Sequence, residues 1–354
     1  MLSVPRRWSD LTPGWMTEAL QQRCPGVTVA DVTVLDAVDG TNRRARVKIS
    51  YSAGTGPASV FVKREGRVLH RLALVALGAL TAEARLAQSG VGFPVEHPSS
   101  YAAAIDLARM AAVVVMEDVV AGGCRPNEAT TPLRVEEVRH GLAGLASLHA
   151  AFWDRPLPSG LQFLRPWRLG RKWAPVSAAS LARGIRRLGR SAGRVAMPSG
   201  LDALSLERQF RLSATLAATG PQTVLHGDPH PGNTYSLPGS RTGFYDWQLV
   251  RLGNWSHDVG YFLAGSLSVP DRRAFERELL SGYLDDLARA GVQAPGFSQA
   301  WDRYRATPAF GLGTWLHTIS AGSFQPDDVC VATIERFAAA YADLGTAESA
   351  AARS

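Results

Sequence analysis

Cysteine, lysine and long apolar runs are all scarce in this chain. Its 354 residues contain three cysteines, Cys24, Cys124 and Cys330, far apart and with no C-x-x-C between them. Such usage excludes a disulfide framework and a zinc knuckle, and makes a reducing interior the expected home. The longest apolar run, Leu72 to Leu80, is half a membrane span, and Arg6, Arg7 and Asp10 stand where a signal peptide would need an apolar core. A soluble cytoplasmic chain with no membrane partner is expected. Charged residues make up 19% and apolar ones 46%, which excludes a disordered tail or a collagen-like repeat.

Lysine is nearly absent from the basic side. Only Lys48, Lys63 and Lys172 accompany the arginines among 38 basic residues, so each lysine draws attention. Acidic residues are missing altogether from one stretch, 155–201, which holds ten basic residues: Arg155, Arg165, Arg168, Arg171, Lys172, Arg183, Arg186, Arg187, Arg190 and Arg194. The rest of the chain has 28 basic and 31 acidic residues. The net charge of +7 is therefore local, and it does not point to nucleic acid.

Local patterns divide the chain in two. Thr12-Pro13 ahead of Trp15, Met16, Ala19 and Leu20 predicts a short opening helix. Turn residues then bound three β-rich runs, 27–38, 45–51 and 59–63, expected to pair as antiparallel strands. A single long helix is expected over Val68 to Ser89 with Gly90 as its C-cap, and a buried strand over Ala111 to Met116. Ala121-Gly122-Gly123 reads as a hinge, and the spacing of Val135, Val138, Leu142, Leu145, Leu148 and Phe152 predicts a core helix over 134–153. The expected organisation is α+β and bilobal, with a small β-rich lobe over 1–119 and a larger, mostly helical lobe over 120–354. The cleft between them is where a ligand is expected.

The chemistry is concentrated in two segments. His226, Asp228 and Asn233 form H-x-D-x-x-x-x-N, and Asp246 follows thirteen residues after the Asn at the end of an apolar run. Phosphoryl transfer requires a carboxylate to accept the proton of the attacking hydroxyl, then an Asn and a second carboxylate to hold Mg²⁺ on the phosphates. Asp228, Asn233 and Asp246 supply these in order. Upstream, Lys63 closes the run Val60-Phe-Val-Lys, with Glu83 twenty residues later on the expected helix. A strand lysine gripping phosphates and held by a helix glutamate completes the opposite wall. Met116, Glu117 and Val119 fall between strand and hinge, where backbone groups meet a purine edge.

These residues, with Gly40-Thr41-Asn42, the segment from Leu145 to Trp153, Tyr245-Asp246-Trp247 and the segment from Trp255 to Leu263, resemble the aminoglycoside phosphotransferase and choline kinase-like superfamily, in particular its ecdysteroid-kinase-like small-molecule kinases. The resemblance spans nearly the whole chain and implies the bilobal protein-kinase-like fold. It also implies a small-molecule O-kinase that uses ATP or GTP, with Asp228 as catalytic base, Asn233 and Asp246 as Mg²⁺ ligands, and Lys63 with Glu83 on the phosphates. Gly40, Thr41, Asn42, Met116, Glu117 and Val119 would complete the nucleotide site. Two departures stand out: the nucleotide loop is Asp39-Gly-Thr-Asn-Arg-Arg44 with a single Gly, and Asp246 opens Asp-Trp-Gln in place of Asp-Phe-Gly. The bracing of the catalytic loop by Asp258 is a further implication of the family.

The acceptor is expected to be a sugar-containing or nucleoside-like metabolite, with antibiotic inactivation or self-resistance as its setting. If the basic stretch forms the acceptor side, a neutral or anionic molecule is expected in preference to a polycation; its arginines at three- and four-residue steps equally fit a solvated helix face. Aminoglycoside or macrolide phosphorylation is the alternative within the same chemistry. Outside it stand a metal-dependent hydrolase, built on His226, Asp228 and His230 or on His257-Asp258, and a silent nucleotide-binding module. His149, inside the core helix, is expected to be a satisfied buried histidine.

Overall fold

The computed structural model describes residues 2–39, 42–167, 170–191 and 195–351. Thr12 caps helix α1 (Pro13–Gln21), its hydroxyl accepting the Trp15 N–H at 3.2 Å. Strands β1 (Thr28–Asp39), β2 (Asn42–Ala53), β3 (Ser59–Glu65), β4 (Ser100–Asp106) and β5 (Ala111–Glu117) form one antiparallel sheet in the order β1-β2-β3-β5-β4. The three consecutive strands expected from the turn signals are present, β1 displaced by one residue and β2 and β3 longer than their apolar runs; β4, whose alanines carry no strong β signal, was not anticipated. Val47, Val60, Val62, Val113 and Val115 face α1 and close over Met16 and Leu20, each such side chain contributing about 1.5–3 kcal/mol by its burial. Because side chains alternate along a strand, Phe61 and Lys63 are left on the opposite face.

The long helix expected over 68–89 is two helices, α2 (Val68–Ala76) and α3 (Ala82–Ser89). Gly78 takes a left-handed φ of 69°, and the Ala79 N–H turns back to the Leu74 carbonyl at 2.7 Å, a glycine-ended helix stop that outweighs the apolar spacing running through it. The break lets α3 turn Glu83 under the sheet independently of α2.

Beyond the hinge turn come β6 (Arg125–Pro126), α4 (Val135–Phe152), α5 (Ala174–Ser191), α6 (Ala203–Ala217), β7 (Thr223–Leu225), β8 (Thr234–Leu237), β9 (Arg241–Phe244) and β10 (Arg251–Gly253). Helices α7 (Ser256–Ser266), α8 (Val269–Arg289), α9 (Phe297–Arg305), α10 (Pro308–Ala321), α11 (Asp327–Asp343) and α12 (Thr346–Ala351) complete the lobe. The apolar stripe of α4 packs into a core with Val259, Phe262 and Leu263 of α7 and Leu280 of α8. The architecture is the expected α+β bilobal one. No described helix is long and apolar enough to cross a membrane.

Four of the cations of the basic stretch, Arg183, Arg186, Arg187 and Arg190, lie on the surface helix α5. Arg183, Arg186 and Arg190 of α5 are exposed, while Leu181 and Leu188 are buried; Arg168 and Arg194 lie outside the described residues. Helix α5 crosses α10 at Gly184, where a Cβ would stand 2.2 Å from the Leu316 carbonyl oxygen. Beside this crossing His317 hydrogen-bonds Ser180 at 2.9 Å, and burial pushes its pKa down to about 4; burial does the same for His257 in α7. Both rings are neutral in the fold and become protonated on unfolding once the pH falls below their ordinary 6.5. At these two positions the unfolded chain therefore binds more protons between about pH 6.5 and 4, and their contribution to stability falls as pH is lowered through that window. Urea unfolding at pH 7 and pH 5 checks this: His317→Gln should shrink the drop by roughly 1–2 kcal/mol.

Candidate active site

Asp228 sits in a loop whose shape is held from beneath. The loop leaves β7, and Gly227 adopts a φ of +87° so close to its neighbour that a Cβ would lie 2.1 Å from the Leu249 carbonyl oxygen. The buried carboxylate of Asp258 accepts the N–H groups of His226 at 2.6 Å and Gly227 at 2.9 Å. His149 approaches the same carboxylate at 3.4 Å through Nε2 and shares a hydrogen bond with the Tyr283 hydroxyl at 2.8 Å through Nδ1. These contacts depress the Asp258 pKa despite its burial, which on its own would raise it.

The histidines of the loop are occupied structurally. His226 meets the Tyr245 carbonyl at 3.0 Å through Nε2 and accepts the Asp228 N–H at 3.3 Å through Nδ1. His230 caps the short turn Pro231–Asn233 by accepting the Gly232 N–H at 3.1 Å, and burial lowers its pKa to about 3. His257 meets the Gly227 carbonyl at 3.2 Å. With both ring nitrogens of His226 already engaged, the His-x-Asp-x-His spacing does not converge on a common point, and no group of three His, Cys, Asp or Glu side chains among the described residues is placed to hold a metal.

Asn233, Asp228 and Asp246 do come together. The Asn233 side-chain N–H₂ donates to the Asp228 carbonyl at 2.9 Å and to its Oδ2 at 3.2 Å. The Tyr245 N–H bonds the Asn233 carbonyl at 3.1 Å, setting Asp246 next to it. Asp246 itself holds a left-handed φ of 63°, a costly conformation for a non-glycine that turns its carboxylate to the cleft. Burial, and then the neighbouring Asp246, raise the Asp228 pKa to about 7, close to the value that suits a general base near neutrality.

Lys63 joins the lobes. Its ammonium pairs with Glu83 at 2.7 Å and with Asp246, and the Trp247 N–H donates to the other Glu83 oxygen at 3.1 Å. Burial pulls the Lys63 pKa down, but the two carboxylates outweigh it and hold the value above that of an ordinary lysine. Burial likewise opposes ionisation of Asp246, whose pKa Lys63 and Arg44 nonetheless hold low; Glu83, the more deeply buried of the two, is pushed up.

The remaining expected residues divide. Asn42 is buried and donates to Gln248, a second link from β2 to the Asp-Trp-Gln segment, whereas Gly40 and Thr41 lie outside the described residues. Met116 is buried beside Val114 and Ala112 on the Lys63 face. The Glu117 N–H is bound to the Ser99 carbonyl at 2.8 Å. Val119 accepts from the Cys124 N–H at 3.0 Å, and its own N–H has no partner among the described residues.

Sequence inspection gave no side-chain role to three residues here. Asp118 is buried, accepts from Ser59 at 2.7 Å and the Val120 N–H at 3.1 Å, and pairs with Arg46 at 3.0 Å, fastening hinge to sheet. Phe61, two residues before Lys63, faces the same way and packs against the Met116 group. Arg44 lies opposite Lys63 in the strand register. Strand period alone would have signalled the last two.

The model of the phosphotransferase enzyme family matches residues 50–307, which hold Lys63, Glu83, Asp228, Asn233 and Asp246. The chain belongs to this family. It is thus a phosphotransferase of the superfamily that its motifs resemble. No curated protein matches it by sequence. Among solved structures, a Ralstonia eutropha JMP134 protein named provisionally as an aminoglycoside phosphotransferase is 13% identical over 95% of this chain and 97% of that one, with a TM-score of 0.55. A choline kinase from Cryptosporidium parvum Iowa II is 10% identical over 93% and 90%, with a TM-score of 0.51. At such identities the likeness is one of fold.

The brace under this phosphotransferase's loop is directly testable. Asp258→Asn replaces one acceptor oxygen by a donor facing a buried N–H, and should lower the unfolding free energy by about 2–4 kcal/mol. Chemical denaturation measures it; a loss under 0.5 kcal/mol would contradict the assignment.

Proposed function

We propose that the chain is a Mg²⁺-dependent small-molecule O-kinase that moves the γ-phosphoryl group of ATP or GTP to a hydroxyl of a sugar-containing or nucleoside-like acceptor. One observation carries this: Lys63 from the sheet meets Glu83 and Asp246 in a single buried ion cluster, with Asn233 and Asp228 alongside. Asp228 would take the hydroxyl proton while the acceptor oxygen bonds to phosphorus and the bridging oxygen leaves with the nucleoside diphosphate. The carboxylate of Asp246 and the amide oxygen of Asn233 are the hard oxygen donors that suit Mg²⁺, and too few to hold it without phosphates and water. The ion, when bound, neutralises charge on the phosphates. Phe61 and Met116 above, with the Val119 N–H at the hinge, fit the base of the nucleotide in the lobe proposed over 1–119.

A cavity of about 330 Å³ is lined by Asn42, Arg44, Asn233 and Asp246, where the phosphates belong, and by Glu128, Thr130, Gln325 and Asp328, where the acceptor fits; Asp228 is not among its lining residues. None of its lining residues comes from 155–201. The basic stretch is therefore not its wall, and the preference for a neutral or anionic acceptor loses its basis. Glu128 and Asp328 at the rim favour an acceptor that carries an amine as well as a hydroxyl, an aminoglycoside or amino-sugar antibiotic among them, and with that a resistance role.

Asp228→Ala should lower kcat by about 10²–10⁴ while the fold, followed by circular dichroism, is retained. Wild-type turnover in the variant would overturn the chemistry. Coupled measurement of nucleoside diphosphate release, with ATP and GTP against aminoglycosides, amino sugars, choline, macrolides and nucleoside antibiotics, tests the acceptor. A hydroxylated amine should be used at least about tenfold better than its neutral counterparts; exclusive use of neutral acceptors would overturn the assignment of the rim.

A further inference from the structure

The phosphate site has a second cation. Ala45, Val47 and Ile49 of β2 are buried against α1, so Arg44 and Arg46 project from the other face, that of Lys63, with Arg44 directly opposite Lys63 in the register. The two arginines are used differently. Arg46 is engaged by Asp118 at 3.0 Å and by Asp36 at 3.6 Å, at the hinge side of the cleft. Arg44 instead stands in the wall of the 330 Å³ acceptor cavity together with Asp246, Asn233 and His230.

Position relative to Asp246 separates Arg44 from Lys63. Lys63 is absent from that cavity and lines a separate recess with Glu83, Ala84 and Gln248, Asn42 standing in the wall of both. Lys63 thus pairs with the Asp246 carboxylate, while Arg44 lines the cavity that Asp246 also lines. A triphosphate neutralised at Asp246 must present its transferred group on the acceptor side, since the hydroxyl arrives there.

We propose that Arg44 is a catalytic residue that binds the non-bridging oxygens of the γ-phosphoryl group, leaving the α- and β-phosphates to Lys63. This rests on the kinase function proposed above and extends it. A guanidinium presents a planar fork of donors that matches two phosphate oxygens at once and stays charged at any working pH. It supplies here what a glycine-rich loop supplies with backbone N–H groups, in a chain whose loop Asp39-Gly-Thr-Asn-Arg-Arg44 has one glycine. As the bond from the acceptor oxygen to phosphorus forms and the bond to the bridging oxygen breaks, charge remains spread over those non-bridging oxygens, where Arg44 holds it.

Calorimetric titration with Mg²⁺ and either ADP or the non-hydrolysable triphosphate AMP-PNP tests the assignment on wild type, Arg44→Gln, Arg44→Lys and Lys63→Met. Arg44→Gln should weaken AMP-PNP by about tenfold, leave ADP within about twofold, and lower kcat by about 10²–10³. Arg44→Lys keeps the charge but loses the fork, and should regain AMP-PNP affinity with little recovery of kcat. Lys63→Met should weaken both nucleotides. Equal weakening of ADP and AMP-PNP by Arg44→Gln, or no change in either with full turnover, would overturn the role of Arg44; should the Gln variant not fold, Arg44→Lys with wild-type kcat does the same. Binding of neither nucleotide by the wild-type protein would overturn the kinase proposal itself, and this one with it.

Discussion

One buried ammonium group organises this molecule. Lys63 lies on a sheet strand, Glu83 on the helix beneath it and Asp246 in the other lobe, and all three meet within ion-pair distance. Taking three charges out of water is costly, so such a cluster persists only where each charge has its partners. Removing the ammonium would leave two buried carboxylates facing each other. That cation ties sheet, α3 and the Asp-Trp-Gln segment together, and with Arg44 it holds the pKa of Asp246 low.

The second lobe solves a different problem, that of holding a strained loop still. Gly227 and Asp246 both take left-handed backbone conformations beside buried polar groups. Asp258, His149 and His257 satisfy those groups from α4 and α7, helices that also form the lobe's core. The active-site loop thus draws its rigidity from core packing, and Asp228 has the freedom to carry a raised pKa because it is not needed as a brace.

The sequence made the chemistry legible where residue type and spacing coincide. His226, Asp228 and Asn233 stand on one loop and Asp246 just past the β8–β9 hairpin that follows it, so linear spacing becomes geometry with little help from the rest of the fold. Lys63 and Glu83 were legible because lysine is so rare here. Less local features were not. The apolar periodicity of 68–89 hid the stop at Gly78, since a glycine that ends a helix and one that is tolerated within it look alike in sequence. Composition placed the ten cations of 155–201 in one segment, but only tertiary packing sets α5 against α10 and α6 and keeps it out of the wall of the 330 Å³ cavity. Arg44, Asp118 and Phe61 act through cross-strand and inter-lobe neighbours, which sequence spacing does not display.

The central claim is that the Lys63-paired carboxylate of Asp246 receives a metal only together with a nucleoside triphosphate. Electron paramagnetic resonance titration of Mn²⁺, a spectroscopic stand-in for Mg²⁺, measures this in the presence and absence of AMP-PNP. The account predicts Mn²⁺ bound with the nucleotide, little bound without it, and loss of the nucleotide-dependent signal in Asp246→Asn. Tight Mn²⁺ binding without nucleotide, or an unchanged signal in Asp246→Asn, would contradict it.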